Sequence, residues 1–513
     1  MMKKILLPLF LICTLISFSQ TRKLPRGVSN GLDNEIAPKI SADGNAIAFL
    51  QKSPRGSTWK IYYAKKTSGK WGRAEELPGV NKNTSLLQFG GFCLNEDGST
   101  LYFSSKKYGG VGGYDLWQTS FINDKEWSVP TNLYKPINSS GNECSPSISS
   151  DGNFMYFSRV SVVGMSGGDC GNIYVSERRG TTWGEAKALP SPINMGCESS
   201  PFIHADSKTL YFSSKRAGGK GKLDLYLSKK DPTGGWSKPI GIDVLNTPED
   251  DQFISMDARE NIIYYAEKKE ESFDLYETIV EQKNRAEPLL KIRLRLKDEE
   301  GNRVDGFLRI KHPGSSTYLF TKKIENTDYQ TTIYLSGKGL HDFTIYGADE
   351  DKFFFSEVFD MDELNSYKSV RREIVLNLIK AGGVYPVHLS FEQDSLLSAF
   401  GKEEVQRIKR IIGKQSQRNY VVEMRVPFVE KVPVYDTLRL PIQVQKDSVL
   451  IDSTIVKVIE GQPLPTKEQI LQEGKVNSIK KYCKQIGLGE NRISVIRKES
   501  QSVKEEKFIL LID

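Results

Sequence analysis

Apolar positions in the first half of the chain fall in short, nearly unbroken runs such as Leu101-Tyr102-Phe103 and Leu210-Tyr211-Phe212. A run with no polar alternation predicts a strand covered on both faces. Each run follows an Asp: Asp43, Asp97, Asp151, Asp206 and Asp257, spaced 51 to 55 residues apart. A fixed period of about fifty residues signals a solenoid, a propeller or an array. From Pro288 to about 379 the pattern changes to strict alternation, as in Leu290-Lys291-Ile292-Arg293-Leu294-Arg295-Leu296. That pattern predicts about seven short strands with one wet face, a β-sandwich. Beyond 384 it changes again. Strands at Val387–Phe391 and Asn419–Met424 alternate with segments of helical spacing at Ser398–Ile412 and Thr466–Ile486, and final strands fall at Ile493–Ile496 and Phe508–Ile512. Thr466 with Gln469 reads as a capping box, and Gly487 as a helix stop.

Within the repeats the punctuation is regular. An acid precedes Pro in Glu35-Ile36-Ala37-Pro38, Glu143-Cys144-Ser145-Pro146 and Glu198-Ser199-Ser200-Pro201, with Glu249 read as a further member. Asp-Gly at 43, 97 and 151 predicts tight hairpins. A Gly-rich loop then leads to Asp115-Leu116-Trp117, Asn172-Ile173-Tyr174, Asp224-Leu225-Tyr226 or Asp274-Leu275-Tyr276. A Trp (71, 127, 183, 236) opens a fourth strand that ends near Asn81, Asn138 or Asn194. Four strands per unit make a propeller blade. The fifth unit lacks its outer strand, and Leu24-Pro25 with Asn30 supplies a match that hides the open edge. The expected fold is mainly β: a five-bladed β-propeller over 20–283, a β-sandwich over 284–380, and a small α/β domain over 381–513 with an insertion at about 427–465.

Composition narrows the classes. At 513 residues the chain suits about three domains, and 38% hydrophobic residues exclude bulk disorder. A net charge of +7 without a dense basic cluster gives no reason to expect nucleic acid. Lys3 and Lys4 before an apolar run from Ile5 to Phe18 predict a signal peptide over 1–19, and hence export to the periplasm. Phe10-Leu11-Ile12 before Cys13 lacks the small residue a lipoprotein needs, and no later apolar run is long enough to span a bilayer. The five cysteines after the leader allow at most two bridges, and Cys170–Cys197 is the favoured pair, with Cys144 the next best partner. His204, His312, His341 and His388 are scattered and no Cys pair has zinc-like spacing, so neither a metal nor a cofactor is expected.

The Glu-x-x-Pro, Asp-Gly, Leu-Tyr-Phe-Ser-Ser, Gly-Gly and Asp-Leu-Tyr series resembles the WD-like repeats of TolB-type periplasmic proteins. It looks most like envelope proteins of Bacteroidetes in which a propeller precedes a small sandwich and an OmpA-like domain. The stretch through Gly347-Ala348-Asp349-Glu350-Asp351-Lys352 and the three Phe that follow resembles the carboxypeptidase regulatory module of transthyretin type, a non-catalytic spacer or docking domain. The segment from Leu471 to Tyr482, with Arg492, is similar to OmpA-like domains that grip peptidoglycan, which makes Lys475 and Arg492 candidate contacts. Two departures stand out: Lys475 replaces the family's Arg, and Arg425-Val426-Pro427-Phe428 stands where its Gly-His-Thr-Asp loop should be. The reading set against this, and preferred, takes both charges as solvated helix and turn residues. Ser176 to Trp183 is similar to a sialidase Asp-box, but Arg178 replaces the Asp.

These readings imply a non-enzymatic envelope scaffold that binds proteins through the propeller, with a type IX secretion or gliding assembly implied by the resemblance. The alternatives are a peptidoglycan tether and, third, a glycan hydrolase. Features repeated in every blade build the scaffold, so partner contacts are sought where repeats differ. Those positions are Lys60, which replaces the usual Asp or Asn, Gln88 and Phe89 in the second repeat, and Val163 and Met165 in the third.

Overall fold

The computed structural model describes residues 21–512 except 57, 82–90, 107–108, 124–125, 161–170, 232, 259–261, 270–271, 281, 327–330, 350, 365–366, 394, 415–418, 428–466, 491 and 501–505. The expected leader, the insertion and Thr466 lie outside the described residues. The chain divides into two compact units. One holds 1–293 with 332–337 and 364–371, and the other holds 294–331, 338–363 and 372–513.

The first unit is built from the repeats. Each begins with a strand (Asn34–Ile40, Phe92–Leu94, Asn142–Ile148, Glu198–Ile203, Ser255–Met256) that pairs antiparallel with a second (Ala46–Lys52, Thr100–Ser105, Phe154–Val160, Thr209–Ser214, Ile262–Lys269). A third strand follows (Lys60–Thr67, Asp115–Asn123, Gly171–Arg179, Asp224–Lys229, Ser272–Ile279). Short outer strands at Glu75–Glu76, Thr131–Asn132, Lys187–Ala188 and Ile240–Gly241 each pair with the third strand of their own repeat.

In the fifth repeat this place is taken by Arg22–Lys23, which pairs with Glu277 and Tyr276. The Leu24 N–H donates to the Leu275 carbonyl at 2.9 Å, just as Leu133 does to Leu116 and Leu189 to Ile173. Residues at opposite ends of the repeat array therefore share one sheet.

Five apolar clusters each join two successive repeats. Tyr63 packs with Leu94 and Phe103, Tyr102 with Met155, Ile173 with Phe212, and Tyr211 with Met256. The fifth joins Leu24, Tyr264 and Leu275 to Ile40 and Phe49, so the cycle of contacts closes. The unbroken apolar runs are explained by this geometry. Leu101 and Phe103 face the first repeat, while Tyr102 between them faces the third, and all three are buried.

The turn after Asp97 needs glycine for two reasons. Gly98 has φ +73°, and a Cβ there would lie 2.3 Å from the Ala46 Cβ of the neighbouring repeat. Each of the longer first strands carries a bulge before its Pro or its neighbour. Ala37, Ser145 and Ser200 sit at φ 53°, 50° and 49°, and the ladder register slips there.

The second unit contains a four-stranded sheet in the order Tyr318–Ile324, Gly306–Lys311, Leu340–Gly347, Phe355–Asp360. A second four-stranded sheet orders Val384–Val387, Lys507–Ile512, Tyr420–Pro427 and Ile493–Ser500, the last pair parallel. Helices Ala399–Lys414 and Lys467–Gln485 pack on it. The sequence places a domain boundary at 380, but one core crosses it. Phe353 stacks on Tyr385 at 4.6 Å, and Phe354 and Ile379 join Ile408, Met424 and Ile479 in the same cluster. The aromatic run that closes the alternating segment supplies apolar area to the helical layer, so the two segments form one compact body. Beneath it lies a buried ion network. Arg407 bridges Asp342 and Glu404, and Glu404 also accepts from the Ser356 hydroxyl and the His388 N–H.

Candidate functional site

The repeated acids are occupied by the backbone. Glu35 accepts from the Ser29 hydroxyl (2.7 Å) and Asn30 N–H (3.0 Å), Glu143 from Ser139 N–H, and Glu198 from Met195 and Gly196 N–H. Arg159 adds charge to Glu143 at 2.8 Å, and Arg216 to Glu198 at 3.3 Å. Glu35 has no such Arg, and burial raises its carboxyl to about 7. The fifth member is a correction. Phe253, at φ 66°, repeats the bulge of Ala37, which puts Asp251 at the position of Glu35; Asp251 accepts from the Thr247 hydroxyl at 3.1 Å. Glu249, expected there, is exposed and lies 3.8 Å from Lys222.

The Gly-rich loops are equally committed. Asp115 accepts from Val111 and Gly112 N–H, and Asp224 from Lys220 and Gly221 N–H at 3.0 and 3.2 Å. A Cβ on Gly112 would lie 2.2 Å from the Ser139 carbonyl, so the glycine permits close approach of two loops. Amides already bound to a carboxylate are not a phosphate cradle.

A further repeated device is the terminal Asn. Asn138 accepts from Leu116 N–H (2.8 Å) and donates to the Leu116 carbonyl (3.0 Å), and Asn81, Asn194 and Asn246 do the same to Ile61, Ile173 and Leu225. Each amide acts as one extra ladder rung. In the fifth repeat the Ser29 hydroxyl accepts from Leu275 N–H, taking the Asn role.

The candidate contact residues are scattered among unrelated partners. Lys60 pairs with Glu76 of its own repeat at 3.0 Å. Lys475 pairs with Glu506 at 2.8 Å and lies over the Phe391 ring, while Arg492 donates to the Ile412 carbonyl in the last turn of helix Ala399–Lys414. Gln88, Phe89, Val163, Met165 and Cys170 lie outside the described residues. Cys197 is disulfide-bonded, whereas Cys93, Cys144 and Cys483 are buried thiols. Among the described residues no cluster of three or more His, Cys, Asp or Glu could hold a metal.

The two ends of the first unit differ. At the Asp-turn end, neighbouring turns bond to each other (Asp43 N–H to Glu96 carbonyl, Ala258 N–H to Ala42 carbonyl), and Leu289, Tyr334 and Tyr367 pack over Ala205 and Ala258. Glu96 there accepts from Lys291 and Tyr334, both at 2.9 Å. At the Gly-loop end the connections into the first strands present Leu32, Tyr134, Met195 and Val244, which are 77, 60, 64 and 53% exposed.

Between the ends lies a cavity of about 30 Å³ whose lining includes Lys39, Cys93, Ser147, Phe202 and Ser255. These are one layer of the five first strands. Each faces its second strand in the same register, opposite Ala48, Tyr102, Tyr156, Tyr211 and Tyr264. Lys39 was not singled out from the sequence. Aligning the repeats on their acids would have exposed it as a lysine where two repeats have Ser.

No family model matches the chain, and no curated protein sequence matches it. Solved structures with some likeness include TolB from Acinetobacter baumannii, at 15% identity and TM-score 0.31, covering 49% of this chain and 55% of that one. A putative TolB from Agrobacterium tumefaciens has 14% identity and TM-score 0.29 over 60% and 91% of the two chains. An endo-arabinase from Bacteroides thetaiotaomicron has 16% identity and TM-score 0.34 over 49% and 95%. The match spans about half the length of the Acinetobacter protein.

Proposed function

We propose that the chain is a non-enzymatic periplasmic scaffold, a five-bladed β-propeller that recruits a protein partner through its Gly-loop end. The sandwich and OmpA-like segments serve as spacer and anchor, and a type IX secretion or gliding assembly is the setting the resemblance implies. One observation carries the reading. The repeated acids, glycines and Asn side chains are spent on the scaffold and the Asp-turn end is covered by the chain itself, while the Gly-loop end presents exposed apolar side chains on four connections. Exposed apolar groups gathered on one end of a rigid ring suit protein contact.

The alternatives have less support. The cavity among the first strands, about 30 Å³, holds one or two water-sized species, so a glycan hydrolase would need a site elsewhere. Lys475 and Arg492 have partners inside the chain, so a peptidoglycan contact would have to break them.

The test is crosslinking and affinity capture of tagged protein from its native envelope, with wild type beside Leu32→Glu/Met195→Glu. The variant should keep its circular dichroism and lose at least tenfold of the captured partner. Equal capture by both proteins would contradict the assignment of the face.

A further inference from the structure

We propose that the central cavity is a site for one halide-sized anion, held by the Lys39 ammonium with the Ser147 and Ser255 hydroxyls. This inference does not depend on the partner reading. Lys39 is 5% exposed and lines the cavity, and among the described residues its acceptor is the Ile254 carbonyl at 3.4 Å, long for an ammonium with three protons to place. The Phe253 ring, 5.8 Å from the nitrogen, adds only a weak attraction. Burying an ammonium without a counter-charge is expensive.

The lining offers donors rather than acceptors. Ser255 Oγ accepts from Ile40 N–H and Ser147 Oγ from Ile203 N–H, both at 2.9 Å, which leaves each hydroxyl proton to donate. The Cys93 sulfur likewise accepts from Ile148 N–H. The acid in the lining, Glu96, is already bound by Lys291 and Tyr334. A positive charge and two hydroxyl groups with protons left to donate, all lining space for one or two water-sized species, suit an anion. Burial, opposed by the Cys93 sulfur, lowers the Lys39 ammonium to about 8, and a bound anion would raise it again.

Two measurements decide the matter. Thermal unfolding is followed in sodium chloride and in sodium gluconate at equal ionic strength, for wild type and Lys39→Met. Wild type should melt higher in chloride by roughly 2–4 °C, and the variant should melt equally in both. Crystals of the wild type soaked in sodium bromide give a test that does not need the variant to fold. An anomalous peak should lie between Lys39 Nζ and the two Ser hydroxyls. A chloride effect of the same size in both proteins, no effect in the wild type, or a cavity without bromide would each overturn the proposal.

Discussion

Glu35 shows what one residue in a repeated position reveals. Its sisters Glu143 and Glu198 each have an Arg, whereas Glu35 has hydrogen-bond donors and the distant charges of Lys23 and Asp274. Its carboxyl is raised from the ordinary 4.5 to about 7, so the folded state holds the proton more tightly than the unfolded chain. Its stabilisation is therefore full below pH 4.5, is lost as pH rises to about 7, and is constant above. Relative to Glu35→Gln, wild type should lose about 1–2 kcal/mol across that window, after allowing for solvent screening. Urea midpoints at pH 4.5 and 7.5 check this, and a constant difference between the two proteins would contradict it. At the fifth closer Asn30 was read where Ser29 acts; the acids, the Asp-Gly turns and Asn81, Asn138 and Asn194 were legible because each recurs at a fixed offset. Asp251 was not, because the fifth repeat has no Pro to mark the bulge that Phe253 makes.

At the scale of elements, the Asn clamps explain how outer strands of only two residues hold their place. Asn138 is buried and pairs both backbone groups of Leu116. Asn138→Ala strands the buried Leu116 N–H and leaves the Leu116 carbonyl to the Leu133 N–H alone, and should cost about 1–3 kcal/mol. Chemical denaturation should show that loss, together with faster exchange of the Leu116 amide than in wild type. A loss below 1 kcal/mol would mean that water replaces the side chain. Strand and helix positions in the second unit were also legible, since alternation and helical spacing survive in each segment. The boundary at 380 was not. Phe353 and Phe354 read as part of a strand-rich module, but their packing partners Tyr385 and Ile408 follow in the α/β segment.

For the whole molecule, closure is the organising fact. Arg22–Lys23, Leu24 and Ser29 complete the last repeat, and the Ser255 hydroxyl ties the fifth first strand to Ile40 of the first. The ring this makes is packed over at its Asp turns by Leu289, Tyr334 and Tyr367 and presents Leu32, Tyr134, Met195 and Val244 at its Gly-loop connections. Closure was legible from Leu24-Pro25, while the covered end was not. Its cover comes from Leu289, Tyr334 and Tyr367, residues far apart in sequence that carry no shared signal. The proposed function has partners docking at the Gly-loop end of this ring. Hydrogen exchange of the native complex, compared with the isolated protein, tests it most directly. Protection should appear in the connections around Leu32, Tyr134, Met195 and Val244, with the turns at Asp43, Asp151 and Asp206 unchanged. Protection confined to those Asp turns, or spread evenly over both ends, would contradict the account.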